Sequence, residues 1–334
     1  MMQAPAFWWR APGLISAALA PLGAIYGAVA GARMKRAGAR AAVPVICIGD
    51  PTVGGAGKTP TAIAVAELLF EAGENPFFVT RGYGGREKGP RVVKVQEHSA
   101  KDVGDEPLLL AAVASVVVSI DRVRGAKLAA ESGASVIVMD DGFQNPALAK
   151  NISLLVIDGA SGVGNGLIFP AGPLRAPLAL QIECANGVIL VGKGDAGEKV
   201  AQQAAACGKT ILRAHLMPEA EATAEIKGRN ALAYAGIGRP RKFFATLEEI
   251  GCNVTEQRVF PDHHAYSEND ARELLKAARA RNLTLVTTAK DHARMYKNPA
   301  LNELADASIV LPVDLHFDDE NALKEMLKPA LARR

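Results

Sequence analysis

Residues 52–60 read TVGGAGKTP and follow the apolar run 45–48. Glycines at 54, 55 and 57 let backbone N–H groups converge on an anion, Lys58 can reach the outer phosphates of a nucleotide, and the Thr59 hydroxyl can ligate Mg2+. The stretch fits the phosphate-loop template G-x-x-x-x-G-K-[ST] with Thr52 in place of the first glycine. Candidate nucleotide contacts are therefore Thr52, Val53, Gly54, Gly55, Ala56, Gly57, Lys58, Thr59 and Pro60. Pro60 falls near a helix start, where its missing N–H costs little. A second stretch, VIVMDDGFQ, reads as a buried strand over 136–139 ending in Asp140 and Asp141. Carboxylates in that place hold Mg2+ directly or through water, so Thr59, Asp140 and Asp141 form the candidate metal set. Arg81, Arg122 and Arg175 stand at strand ends or in glycine-rich stretches where a guanidinium can reach substrate phosphate.

Two relatives of the loop are disfavoured by single residues. Partition-type ATPases carry lysine where this chain has Val53, and GTPases read guanine with N-K-x-D where this chain has GKGD at 192–195. ATP is the expected donor.

The elements that position these residues alternate. Strands are expected at 45–48, 77–80, 116–120, 136–139, 154–157 and 188–191, with helical stretches such as 60–72 and 122–132 between them. That alternation predicts an α/β fold, a mainly parallel sheet covered by helices on both faces. A second series begins near Asn230: a strand in ALAYAGIG, a helix over 241–250, a strand in NVTEQRVF, a helix over 269–281 and a strand in LTLVTT. The polar stretch 219–229 is the expected junction. The resulting division is 1–40 for an N-terminal helix with a basic flank, 41–225 for the phosphate-loop core, and 226–334 for a smaller α/β lobe.

Composition sets the outer limits. With 334 residues, 49% hydrophobic and 22% charged, the chain is globular, and a formal net charge of +3 gives no argument for nucleic acid. Its four cysteines are far apart and form no C-x-x-C pair, which predicts neither a zinc site nor a disulfide framework and fits a reducing cytoplasm. Residues 6–32 are apolar apart from Arg10 and are followed by Arg33, Lys35, Arg36 and Arg40. A secretory signal places its cations before the apolar stretch, so this segment is expected to remain attached and to meet a membrane, spanning it or lying in its interface.

TVGGAGKTP, TRGYGG at 80–85, GDEP at 104–107, DDGFQ at 140–144, GNGLIFPAGPLR at 164–175, AGIGRP at 235–240, FPDHH at 260–264 and TTAKDH at 287–292 occur in this order. Together they resemble tetraacyldisaccharide 4'-kinase, the lipid A 4'-kinase of bacteria that make lipopolysaccharide. The resemblance implies phosphoryl transfer from MgATP to the 4'-hydroxyl of a tetraacylated glucosamine disaccharide 1-phosphate, at the cytoplasmic face of the inner membrane. It also implies a base: Asp105 of GDEP, assisted by His263 of FPDHH from the other lobe. By its local sequence alone Asp105 reads as a helix cap ahead of Pro107. His264 reads as a surface histidine or a supporting group, Glu106 as a supporting group, and the pair Lys290 and Asp291 as supporting either the cleft or the fold. Two positions depart from the family pattern: Asn145 stands where histidine often follows DDGFQ, and Ala176 where glutamate often follows PLR. A kinase for a soluble metabolite and a membrane-associated nucleotide switch remain the alternatives. The first needs no acyl chains on its acceptor, and the second needs no acceptor base.

Overall fold

The computed structural model describes residues 4–332. Its strands are β1 (Val45–Gly49), β2 (Pro76–Thr80), β3 (Arg91–Val92), β4 (Ser115–Val118), β5 (Val136–Asp140), β6 (Ile152–Asp158), β7 (Gly187–Val191), β8 (Thr210–Pro218), β9 (Asn230–Ala235), β10 (Asn253–Val259), β11 (Thr284–Thr288), β12 (Ser308–Leu311) and β13 (Val313–Phe317). Nine form one sheet in the order β13-β8-β7-β6-β1-β5-β2-β4-β3, and four form a second in the order β10-β9-β11-β12. The large sheet is parallel apart from its two edges, β13 on β8 and β3 on β4. Every residue of β1, β5, β6 and β7 is buried, as expected of strands covered on both faces. Apolar cores lie on both faces of each sheet.

The chain order places the chemistry. β1 pairs with β5 on one side and β6 on the other, so the strand order reverses at β1 and a crevice opens beyond its C-terminal end. In that register Ile48 lies opposite Asp140, which brings the end of β5 beside the turn that leads into the phosphate loop.

Strand β4 ends at Val118, short of the expected 120, because Asp121 caps the helix Arg122–Glu131 by accepting from the backbone N–H groups of Val123 and Arg124. The junction 219–229 contains a helix, Ala220–Ile226. The expected third unit, 226–334, is corrected at its end: after β12 the chain returns to the large sheet, where β13 pairs antiparallel with β8 and Leu323 and Leu327 of the helix Glu320–Leu331 join the large core. A strand too short to show its periodicity carries that return. Residues 1–3 and 333–334 of the expected units lie outside the described residues.

The N-terminal helix, Leu14–Met34, has 21 residues, about 30 Å of length. It is no core helix. Its buried positions are Ser16, Gly23, Gly27 and Gly31, a stripe of small residues, while Leu14 is 91% and Ile25 66% exposed on the rest of its surface. The stripe lies on segment 164–180. A Cβ on Gly23 would come within 2.8 Å of the Ile168 carbonyl oxygen, and one on Gly31 within 3.2 Å of Leu180 Cδ2. Glycine is needed there for close approach.

Candidate active site

The phosphate loop leaves β1 through Asp50 and Pro51 and enters the helix Lys58–Glu71 at Gly57, whose φ of 92° is the left-handed conformation glycine tolerates. Its rim is held by segment 164–180: Val53 N donates to Pro173 O and Arg175 N to Pro51 O, both at 2.8 Å. The same segment carries the N-terminal helix, so that helix and the loop share one support. Trp8 fastens the start of the chain to it, donating from Nε1 to Pro170 O at 3.0 Å.

Lys58 points back at the end of β1. Its Nζ is 2.7 Å from Asp50 Oδ2 and 3.9 Å from Asp141 Oδ1. Burial works against the ammonium, yet Asp50 and Asp141 raise its pKa above the usual lysine range. Arg175 closes the arrangement. It donates to Asp141 Oδ1 at 2.7 Å and to Thr52 O at 2.8 Å, and its Nη2 lies 3.4 Å from Asp50 Oδ1 without hydrogen-bond geometry. The guanidinium expected to meet substrate is thus engaged by protein partners. Of the other two arginines, Arg122 is buried and donates from Nη1 to Ser119 O, whereas Arg81 is exposed beyond β2.

Asp140 differs from its neighbour. It is 1% exposed and neither carboxylate oxygen has a hydrogen-bond partner. Burial and the nearby Glu106 carboxylate push it up to about 7. A buried, unpartnered carboxylate is costly unless a cation joins it. Thr59, 4% exposed, supplies a hydroxyl at the helix start. Among the described residues no three His, Cys, Asp or Glu side chains cluster as a metal cage.

Across the cleft, Asp105 opens the helix Asp105–Leu110 on the large lobe, and His263 sits in the loop after β10 with a φ of 55°. Backbone bonds fix that loop: His263 N donates to Gly236 O at 3.0 Å and Phe260 N to Ala235 O at 2.9 Å. His263 Nδ1 lies 3.2 Å from Asp105 Oδ2 and 3.3 Å from Oδ1, so the two residues the sequence separates by 158 positions are in contact. Burial disfavours the Asp105 anion, but the His263 hydrogen bond and the charges of Arg294 and Lys290 hold its carboxyl well below the usual carboxylate range. The same hydrogen bond raises the His263 imidazole above its ordinary value. Beside them Lys290 Nζ meets Glu106 Oε1 at 2.6 Å, a second cross-lobe pair. His264 instead turns to Asp270, with Nε2 3.1 Å from Oδ2. An oriented acid–imidazole pair beside a phosphate cradle can accept a proton from an attacking hydroxyl.

Sequence reasoning missed three contributors. Asp50, which anchors Lys58, carries only the weak signal of an acid directly after β1. Arg294 Nε donates to Asp105 Oδ2 at 2.6 Å; it lies two residues beyond TTAKDH, on the helix that carries Lys290 and Asp291. Arg239 of AGIGRP crosses the lobes, with Nη1 2.6 Å from the buried Asp158 at the end of β6, and its guanidinium lies 5.6 Å from the Trp9 ring centroid. The two departures from the expected pattern have local roles: Asn145 Oδ1 accepts from Ala147 N at 2.9 Å in a turn, and buried Ala176 offers its carbonyl to Gln181 Nε2 at 2.8 Å.

Comparison with known proteins supplies the family. A family model described as tetraacyldisaccharide-1-P 4'-kinase matches residues 15–332. The chain is 52% identical over 326 residues to a tetraacyldisaccharide 4'-kinase of Rhodopseudomonas palustris strain BisB5, covering 98% of this chain and 96% of that one. It is likewise 52% identical over 322 residues to one from Methylobacterium nodulans, covering 96% and 94%. The crystal structure of LpxK from Aquifex aeolicus in complex with ATP superposes with a TM-score of 0.74 at 25% identity, over 95% of this chain and all of that one. A match over almost the whole length, on a phosphate-loop kinase fold with a second lobe, means that this chain belongs to the tetraacyldisaccharide-1-P 4'-kinase family.

Proposed function

We propose that this protein transfers the γ-phosphoryl group of ATP to the 4'-hydroxyl of a tetraacylated glucosamine disaccharide 1-phosphate, a step in lipid A biosynthesis. The observation that carries the reading is the contact of Asp105 with His263 across the cleft: a nucleotide switch that only hydrolyses ATP has no use for an acceptor base shared between two lobes. In this mechanism the backbone N–H groups of residues 54–59 cradle the phosphates, and Lys58 exchanges Asp50 for the β- and γ-phosphate oxygens. Asp105 and His263 take the hydroxyl proton as the sugar oxygen bonds to phosphorus and the bridge to ADP breaks. Arg175 steadies the loop through Thr52 and Asp141, Arg81 meets the charged part of the acceptor, and Arg122, buried against Ser119 O, supports the turn after β4.

Thr59, Asp140 and Asp141 would hold Mg2+, and the ion would neutralise charge on the phosphate oxygens. The unpartnered Asp140 oxygens support this assignment.

The N-terminal helix supports a membrane-bound acceptor. Its glycine stripe is occupied by segment 164–180, so the helix lies against the lobe and offers its exposed leucine, isoleucine and valine side chains to lipid in the interface plane. Arg33, Lys35, Arg36 and Arg40 then face anionic headgroups at the cytoplasmic leaflet of the inner membrane. The lipid's acyl chains stay in the bilayer while its headgroup enters the cleft.

The test is incubation of the full chain with labelled ATP, Mg2+ and the tetraacylated disaccharide 1-phosphate in mixed micelles. A bisphosphorylated lipid is expected. ATP turnover without that product, or equal phosphorylation of a deacylated disaccharide, would refute the reading.

A further inference from the structure

We infer that Arg294 is a positioning residue for this reaction, a guanidinium carried by the second lobe that clamps Asp105 as an oriented anion for His263. The inference rests on the kinase reading above but goes beyond it, since Arg294 lies outside every recognised motif of the chain.

The geometry leaves the guanidinium little freedom. Its side chain is 5% exposed. Nε donates to Asp105 Oδ2 at 2.6 Å, and Nη2 lies 2.5 Å from the same oxygen, outside hydrogen-bond geometry. Nη1 donates to Asp291 Oδ1 at 2.8 Å and to Gly236 O at 2.6 Å. Asp291 is itself fixed: it is fully buried, and it accepts from Gly236 N, from Tyr266 Oη at 2.9 Å and from Thr288 Oγ1 at 2.6 Å. A rigid part of the second lobe therefore presents one cation to a carboxylate of the first.

Both Asp105 oxygens are thereby occupied. Oδ1 accepts from Glu106 N at 3.0 Å and faces His263 Nδ1, and Oδ2 takes Arg294 and faces the same ring nitrogen. Held like this, Asp105 fixes the imidazole by its Nδ1 side and leaves Nε2 as the ring nitrogen open to a substrate proton. Asp262 Oδ1 stands 3.9 Å from Nε2.

The charges around the pair show what Arg294 balances. Lys290 and Asp291 come from the helix Ala289–Met295, Glu106 from the helix of Asp105, and Asp262 from the histidine loop; the Tyr83 ring packs on the imidazole at 5.1 Å between centroids. Lys290 is matched by Glu106. Arg294 is then the cation left for both Asp105 and Asp291. Without it the pair binds a proton more tightly and is occupied before substrate can donate one.

Two variants of the full chain test this. Arg294→Gln is expected to lower kcat roughly 10- to 100-fold, with KM for ATP little changed and the loss deepest at the acidic end of the pH profile. Arg294→Lys keeps the charge but cannot span three acceptors in one plane, so kcat falls only about three- to tenfold and the profile keeps its shape. The His263 ring, followed by NMR and assigned by its loss in His263→Gln, should titrate at higher pH in Arg294→Gln and at the parental pH in Arg294→Lys. Parental kcat in either variant, or an unmoved or lowered His263 midpoint in Arg294→Gln, overturns the inference. Equal losses in both variants with an unchanged pH profile and a lower melting temperature mark a purely structural role and overturn it as well. A parent chain that phosphorylates no lipid defeats the kinase reading instead, and the NMR comparison still decides on Arg294.

Discussion

Replacing Asp140 by asparagine should flatten the dependence of stability on pH. The Asp140 carboxyl stands at about 7 in the folded protein against an ordinary aspartate value of 3.8, because burial and then Glu106 oppose its charge. Below 3.8 the group is protonated in both folded and unfolded chains and contributes nothing to the difference. Between the two values only the unfolded chain ionises, so the native state loses stability as pH rises; above about 7 the penalty is constant. A gap of about 3 units at about 1.4 kcal/mol each gives roughly 4 kcal/mol, and hydration of a cleft that admits a nucleotide leaves about 2 to 4. Asparagine keeps the shape and cannot ionise, so that penalty disappears from the variant. Thermal or urea unfolding of parent and Asp140→Asn from pH 5 to 8, in chelator, covers the upper part of that window, so the curves should diverge by about 1 to 3 kcal/mol, the variant gaining on the parent as pH rises. Adding Mg2+ should then raise the parent's stability by mass action and leave the variant where it was. Parallel pH curves, or equal stabilisation of both proteins by Mg2+, would refute the view of Asp140 as an uncompensated carboxylate awaiting a cation.

Lys58→Met should abolish detectable phosphoryl transfer in the lipid kinase assay while leaving circular dichroism unchanged, since its ion pair with Asp50 is local to the loop. Asp105→Asn should cost at least about 100-fold in kcat with ATP affinity retained, measured by turnover beside direct nucleotide binding. Gly23→Ala brings a methyl 2.8 Å from Ile168 O, about 0.6 Å inside ordinary contact, on a carbonyl that already accepts from Ala171 N and Gly172 N. The overpacking costs about 1–3 kcal/mol, and better helix propensity offsets about 1 kcal/mol, so calorimetry should show a small net destabilisation. Ile25→Ser with Val29→Ser leaves the glycine stripe intact and should weaken flotation with anionic vesicles about tenfold or more, with unchanged ATP binding.

The phosphate loop was legible because its chemistry is local: three glycines, a lysine and a threonine must be adjacent to wrap one phosphate chain. Six strands of the large sheet were legible for a related reason, since strands buried on both faces, such as 136–139, become unbroken apolar runs. The edges were not. β13 alternates exposed and buried residues only from Asp314 to Phe317, a pattern too short to distinguish from a loop, and so the return of the chain to the large sheet went unseen. The N-terminal helix could be read as apolar, but Gly23, Gly27 and Gly31 look like weak points in a membrane helix until Ile168 and Leu180 are seen against them.

The sequence by itself determined the phosphate cradle, the carboxylates beyond the fifth strand, the parallel α/β pattern and, through ordered motifs, the family. Only the tertiary structure decided which charges meet. It brought Asp105 to His263 and Arg294 across 158 and 189 positions, tied Lys58 and Arg175 to the ends of β1 and β5, and left Asp140 without a partner. The physical reason is that a periodic pattern reports how each segment hides its own apolar face, whereas a buried charge is settled by whichever opposite charge the closed lobes deliver to it.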